Sequence, residues 1–431
     1  MQYDDTVPES HHSPTIFFIE QDVALLLVNS LRTMQTSMQF GIVADDLTGA
    51  ADVAAPFAVR GLSASVALEY SAEVETEVSV WNTDTRALQD EREITWRIER
   101  VAECLKQSAP TYLYKKVDSA LRGWLALELE VWRRAFPQGV AIICPAFPAN
   151  GRTVEGDSLF VNGRLWQETE FAPPDEARGV VEVFGVAGKA VTLSLEEVRA
   201  GKTPLCETLL SIPKGGVALC SAATEADLDA LAEALAYAPT RYLPVGSAGL
   251  SRAMARRLPM LTSPAPDLLT PFQEGCVLAI VGSRHAASRN QAKRVAERLG
   301  VTPVVWNDGR EAATVQEIRH LFGTGARCVL LTTPETASNL ALSAGLGRVV
   351  GQALHALPSV RTLFLTGGDT AYHVAKALDI THMEVLGELE PGLVRGILHS
   401  RTGESWAVIT KAGGFGSPDT LSRILIKEKA F

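Results

Sequence analysis

A chain of 431 residues, 46% of them hydrophobic and 21% charged, has core material for two or three domains and is too apolar to be disordered as a whole. Its formal net charge of −10 argues against a nucleic-acid binder, which needs a basic face, but leaves room for a local Lys/Arg cluster that takes an anionic small molecule. Six cysteines (Cys104, Cys144, Cys206, Cys220, Cys276 and Cys328) are scattered without a CxxC pair, the pattern of reduced thiols in a cytoplasmic protein with no structural zinc site. No apolar stretch reaches the roughly 18–20 residues that span a bilayer, so no membrane partner is expected.

In residues 1–37 the apolar run Val23 to Val28 is preceded by Glu20, Gln21 and Asp22 and lacks a basic leader. This segment is expected to be a loose extension, with the folded protein starting at Met38. From there Phe40 to Ala44 predicts a strand, Asp45-Asp46-Leu47-Thr48-Gly49 a polar loop, Ala50 to Arg60 a helix stopped by Gly61, and Ser65 to Leu68 the next strand. The alternation continues through strand Val78 to Asn82, helix Glu91 to Gln107, strand Tyr112 to Lys116, helix Leu125 to Phe136 and strand Val140 to Cys144. Short apolar runs alternating with helices predict right-handed crossovers in a parallel sheet, with ligands at the carboxyl ends of its strands. Phe171 to Lys202, rich in Val and Gly, predicts a β-rich excursion. The Pro-rich stretch Ser263 to Pro271 reads as a linker, and a second α/β pattern follows it. Its strands are predicted at Cys276 to Val281, Val301 to Trp306, Arg327 to Leu331, Thr362 to Leu365 and Trp406 to Ile409. The expected fold is therefore α/β, in two domains (38–267 and 268–431), each a mostly parallel sheet flanked by helices, with the active site in the cleft between them.

Four polar loops follow strands of the first domain. In Asp45-Asp46 one carboxylate can face a cleft while its neighbour caps the next helix. Asn82-Thr83-Asp84-Thr85-Arg86 is the second loop. The third, Tyr114 to Gly123, holds Lys115, Lys116, Asp118, Ser119 and Arg122, which suit a carboxylate or phosphate, and Asp118 can accept a hydroxyl proton. The fourth, Pro145 to Thr153, offers the planar fork of Arg152 on a backbone stiffened by proline. Each loop alone can be an ordinary cap or turn; four on one sheet edge point to a single anionic-ligand pocket. In the second domain Gly282-Ser283-Arg284-His285, Thr366-Gly367-Gly368-Asp369-Thr370 and Lys411-Ala412-Gly413-Gly414-Phe415-Gly416 are glycine loops whose amides can wrap phosphate. Neither a P-loop nor a GxGxxG fingerprint is present. His285 and His373 read as ordinary surface or packed histidines, and Trp124 and Trp132 as core.

The ordered set ADDLTGAADVA, YKKVDSALRG, PAFPANGR, TGGDTA and KAGGFG resembles the four-carbon acid sugar kinase family over residues 39 to 425. The resemblance implies a sugar-acid-binding N-terminal domain, an ATP-binding C-terminal domain with Mg2+, and phosphorylation of the terminal hydroxyl of a C4 acid in carbohydrate-acid catabolism. The Lys-Lys-x-Asp-Ser form leans toward threonate or erythronate over the oxo-tetronates. Carried over by motif, Asp118, Asp45 and Lys115 are the expected catalytic residues. Asp46, Arg86, Lys116, Ser119, Arg122 and Arg152 are expected to bind substrate. Ser283, Gly367, Gly368, Asp369, Thr370 and Gly413 are expected to bind nucleotide. Arg86, Arg152 or Arg122 clamps the substrate carboxylate, Asp118 or Asp45 acts as base, and Lys115 or Lys116 neutralises the transferring group. Two departures stand out: Ala120 replaces a usual threonine, and Arg284-His285 a usual Cys-Ser. The rival readings are an aldolase, dehydratase or phosphatase of a phosphorylated sugar acid, and a non-catalytic nucleotide or sugar-acid sensor. Metal ligands, stereoisomer and oligomeric state stay open, a homodimer being one arrangement the sequence permits.

Overall fold

The computed structural model describes residues 38–70, 76–174, 176, 178–260, 275–334 and 340–427. The loose extension 1–37, the linker 263–271 and the boundary near 268 lie outside the described residues.

Runs such as Phe40–Ala44 and Cys276–Val281 are apolar throughout because they are covered on both faces, as parallel strands are. Among the described residues fifteen strands form one sheet. Its C-terminal part runs Val304–Val305, Cys328–Thr332, Cys276–Val281, Val360–Thr366 and Ser405–Lys411, all parallel. Its N-terminal part runs Ala64–Ala67, Val78–Asn82, Phe40–Ala44, Tyr112–Lys116, Tyr242–Gly246, Val140–Cys144, Val217–Cys220 and Ala190–Leu193, again parallel. The antiparallel hairpin Ile380–Glu390 and Leu393–Ser400 joins them: Leu393–Ser400 pairs with Ser405–Lys411, and Ile380–Glu390 with Ala64–Ala67. Each expected parallel sheet is there, and the two meet edge to edge. The helix Leu47–Val59, buried nearly all round, packs at this seam against Ile380–Glu390 and the helix Ala248–Arg256.

The β-rich excursion lies earlier than its composition suggested. Three short antiparallel strands, Arg152–Glu155, Ser158–Val161 and Arg164–Leu165, form a separate small sheet. Among its described residues Phe171 to Lys202 holds turns, short helices and one strand, Ala190–Leu193, and Gly185 and Gly188 at positive φ turn the chain before it. Of the expected strand Val301 to Trp306 only Val304–Val305 forms. Trp132 is core, and Trp124, partly buried, donates Nε1–H to the Leu88 carbonyl at 2.8 Å. The six cysteines are free thiols, and among the described residues no helix is long and apolar enough to cross a membrane.

Candidate active site

Register brings the loops together. Ala44 lies level with Asn82 on one side and Lys116 on the other, so the loops after three strands start in one row. In the C-terminal part Val281, Thr366 and Lys411 are level in the same way. Both rows open into one cavity of about 760 Å³. From the N-terminal half it is lined by Asp46, Arg86, Lys116, Asp118, Ser119, Arg122 and Arg152, and from the C-terminal half by Ser283, Gly367, Gly368, Asp369, Thr370 and Gly413. The cavity therefore receives every expected site residue except Asp45 and Lys115.

The helix Leu47–Val59 begins at Asp46, whose Oδ1 accepts the Gly49 N–H at 3.1 Å while Oδ2 accepts the Thr48 hydroxyl at 2.7 Å. Asp46 both caps the helix and reaches the cleft. A side chain on Gly368, across the cleft, would collide with its carboxylate. Asp45 turns the other way and clamps Arg86 through two bonds, Nε to Oδ2 at 2.7 Å and Nη2 to Oδ1 at 2.8 Å. Arg86 also meets Asp46 at 2.8 Å and Asp118 at 3.9 Å, so three carboxylates share one guanidinium. Burial works against ionisation of Asp45, yet Arg86 holds its carboxyl below the usual range.

Asp118 is held as firmly. Arg122 donates Nε–H to Oδ2 at 2.7 Å and Nη2–H to Oδ1 at 2.8 Å, and the Ala120 and Arg122 amides add bonds to Oδ2 at 3.2 and 3.3 Å. Burial opposes its charge, but Arg122 and then Arg86 drive it far below the ordinary carboxylate value. Arg152, after the turn Pro148–Asn150, differs from both these arginines. Its Nη1 donates to the Asn150 carbonyl, its guanidinium lies 5.3 Å from the Phe171 ring centre, and burial pulls its pKa down. Among the described residues no carboxylate forms an ion pair with it.

Successive strand residues face opposite sides, which separates the two lysines. Lys116 faces the cavity, close enough to Gly49 that a side chain there would strike its ammonium. Lys115 points behind the site and is a correction to its expected catalytic role. Its Nζ lies 2.6 Å from Glu128 Oε2 in a pair with each side chain 1% exposed, and it donates to the Lys116 carbonyl at 3.1 Å. Glu128 also takes the Thr85 hydroxyl, Thr85 meets Thr83 at 2.9 Å, and Thr83 bonds the Ala44 carbonyl at 2.9 Å. The pair thus ties together the loops that carry Asp45, Arg86 and Lys116.

On the C-terminal side Gly413 is required by a close approach, since any side chain would strike the Ser283 hydroxyl. His285, read as ordinary, lines the cavity: its Nδ1 caps the helix Ala286–Leu299 by accepting the Ala287 N–H at 3.2 Å, and its ring stacks at 6.3 Å on Phe171 of the other half. Phe147 and Phe415 make a second aromatic contact across the cleft, with ring centres 6.3 Å apart. Arg252 was missed as well. It pairs with Asp52 at 3.0 Å and with Glu388, linking helices of the first half to the joining hairpin. Nothing local flagged it, because its partners are 200 and 136 positions away.

The comparisons agree with this division. Residues 40–254 match a family described as a sugar-binding N-terminal domain, and 278–421 one described as a nucleotide-binding C-terminal domain. The chain is 33% identical to a D-threonate kinase of Cupriavidus necator over 89% of its own length and 96% of that protein's. It is 31% identical to a D-threonate kinase of Bordetella bronchiseptica, covering 91% and 98%. A solved Salmonella typhimurium structure shares the fold, with a TM-score of 0.72 at 19% identity over 90% of this chain and 98% of that one. With both halves matched and a third of its residues shared along nearly the whole of a curated relative, the chain belongs to the four-carbon acid sugar kinase family.

Proposed function

We propose that this protein is an ATP-dependent kinase that phosphorylates the terminal hydroxyl of a four-carbon sugar acid, threonate first and erythronate next, to give the 4-phosphate. The observation that carries the reading is the single cavity with arginines and carboxylates on one wall and three glycine loops on the other. The names of the two relatives support threonate.

The balance of charge in the cavity supports the following roles. Arg86 and Arg122 are already neutralised by protein carboxylates, whereas among the described residues no carboxylate forms an ion pair with Arg152, which receives the substrate carboxylate. Asp118 is held by four donors, three on Oδ2 and one on Oδ1, and its charge is committed to Arg122. Asp46 has a place left on Oδ2, beside Gly368 where the halves meet, and it orients the attacking hydroxyl. Phosphoryl transfer through a loose transition state asks for orientation and charge neutralisation more than for a strong base. Lys116 supplies positive charge to the transferring group, and closure of the cleft keeps water from competing.

Among the described residues no three ligating side chains converge to hold a metal. A magnesium ion carried by the nucleotide would keep its waters and take one or two carboxylates. Asp369 lines the cavity and would hold it, and the ion would neutralise phosphate charge.

The test is ADP release from ATP and Mg2+ against D- and L-threonate, D- and L-erythronate and the oxo-tetronates. Release that depends on a threonate or erythronate supports the reading. ATP binding without release for any acid would overturn it in favour of a sensor.

A further inference from the structure

Lys411 ends the strand Ser405–Lys411, and its side chain is fully buried under the loop that follows. Its ammonium donates to the carbonyls of Ala412 at 3.0 Å, Gly413 at 3.2 Å and Phe415 at 3.1 Å, and to the Ser288 hydroxyl at 3.1 Å. From the helix Ala286–Leu299, Ser288 adds a bond to the Gly413 carbonyl at 2.7 Å. Gln291 adds bonds to the carbonyls of Phe415 at 3.1 Å and Ser417 at 2.9 Å. Three side chains thus hold the loop's carbonyls from below.

A trans peptide carries its C=O and its N–H on opposite sides. Carbonyls of Ala412, Gly413 and Phe415 held beneath the loop therefore turn the amides of Gly413, Gly414 and Gly416 to its other side. Gly413 and Gly414 line the cavity. Among the described residues no protein acceptor meets these three amides. Outward amides in succession form a concave nest for an anion.

The second observation is charge. The ammonium's partners are one hydroxyl and three carbonyls, and no acid among the described residues pairs with it. Burial pushes its pKa down to about 7. An unneutralised buried cation is costly, and one placed under converging amides lends its field to whatever anion sits above them.

We infer that Lys411 is the positioning residue of the phosphate-binding loop, pinning the carbonyls of residues 412–415 so that the glycine amides receive the nucleotide's phosphate chain, and adding positive charge from beneath. Lys411 itself does not line the cavity and acts through the loop. The inference deepens the kinase reading and rests on its nucleotide half.

The experiment compares wild type, Lys411→Met and Ser288→Ala by calorimetric titration with MgATP, inorganic tripolyphosphate and adenosine, without any sugar acid, followed by steady-state kinetics. Losing a charged donor set weakens MgATP and tripolyphosphate about 10- to 100-fold in Lys411→Met, and losing the Gly413 bond together with one acceptor of the ammonium weakens them about 5-fold in Ser288→Ala. Adenosine affinity stays put. In turnover the KM for ATP rises while the KM for the acid does not. Folded variants with unchanged tripolyphosphate affinity would overturn the inference and leave the kinase reading standing; so would a parallel loss of adenosine affinity, the sign of general loosening. Should Lys411→Met not fold, Ser288→Ala decides by the same readouts. A wild type that binds neither MgATP nor tripolyphosphate removes the nucleotide reading and this inference with it.

Discussion

Asp84→Asn should stabilise the protein at neutral pH and leave it unchanged in acid. Asp84 sits in the loop that delivers Arg86, buried and with φ of 48°, a left-handed conformation that asparagine adopts readily. Burial first, then the carboxylates of Asp369 and Asp46, push its pKa from 3.8 to about 8, against the pull of Arg97 and Arg86. A raised pKa means that the folded protein keeps a proton which the unfolded chain releases. Stability from this group is complete below pH 4 and drains away as pH rises to about 8. At pH 7 the gap of roughly three pH units above 3.8 is worth on the order of 4 kcal/mol, at about 1.36 kcal/mol per unit. The assay is thermal unfolding of wild type and Asp84→Asn from pH 4 to 9. The curves should coincide near pH 4, diverge through neutrality and run parallel above about pH 8, with the variant higher. Parallel profiles across the whole range, or a variant less stable at pH 7, would refute the argument.

The two lysines should separate cleanly. Lys115→Met leaves Glu128 charged and buried and should cost about 3–5 kcal/mol, read as a lowered melting temperature, whereas Lys116→Met should keep the melting temperature and lose at least about 100-fold in kcat. Arg152→Ala should raise the KM for the sugar acid about 10- to 100-fold with the KM for ATP unchanged, as expected for losing a charged donor to a carboxylate. Gly368→Ala places a methyl group against the Asp46 carboxylate and should depress kcat with little change in melting temperature, measured by turnover beside calorimetry.

Much of the site was legible because its signals are local. A strand that ends in polar or glycine residues marks a ligand loop, and parallel register does the rest by bringing the strand ends level. Facing and pairing were not legible. Adjacent Lys115 and Lys116 are equivalent on paper, and only the position of Glu128 on a later helix decides which is buried. Arg86 looked like a substrate clamp, yet its partner Asp45 lies 41 positions away and occupies it. His285 looked idle because Phe171, which it stacks on, comes from the other half. The joining strand Ile380–Glu390 was passed over because its burial varies along its length and its Glu and Gly residues dilute the apolar pattern.

Within the sheet the two parts are joined by three residue pairs: His382 with Ala67, Met383 with Val66 and Glu384 with Ser65. Cutting the gene between residues 254 and 278, where the two family matches end and begin, would therefore strip a neighbour from Ala64–Ala67, a short and wholly buried strand. Bare apolar edges pair with whatever strand comes to hand, including another copy of themselves. The isolated sugar-binding half should accordingly come out of cells aggregated. A soluble version would need the joining hairpin retained as a covering strand.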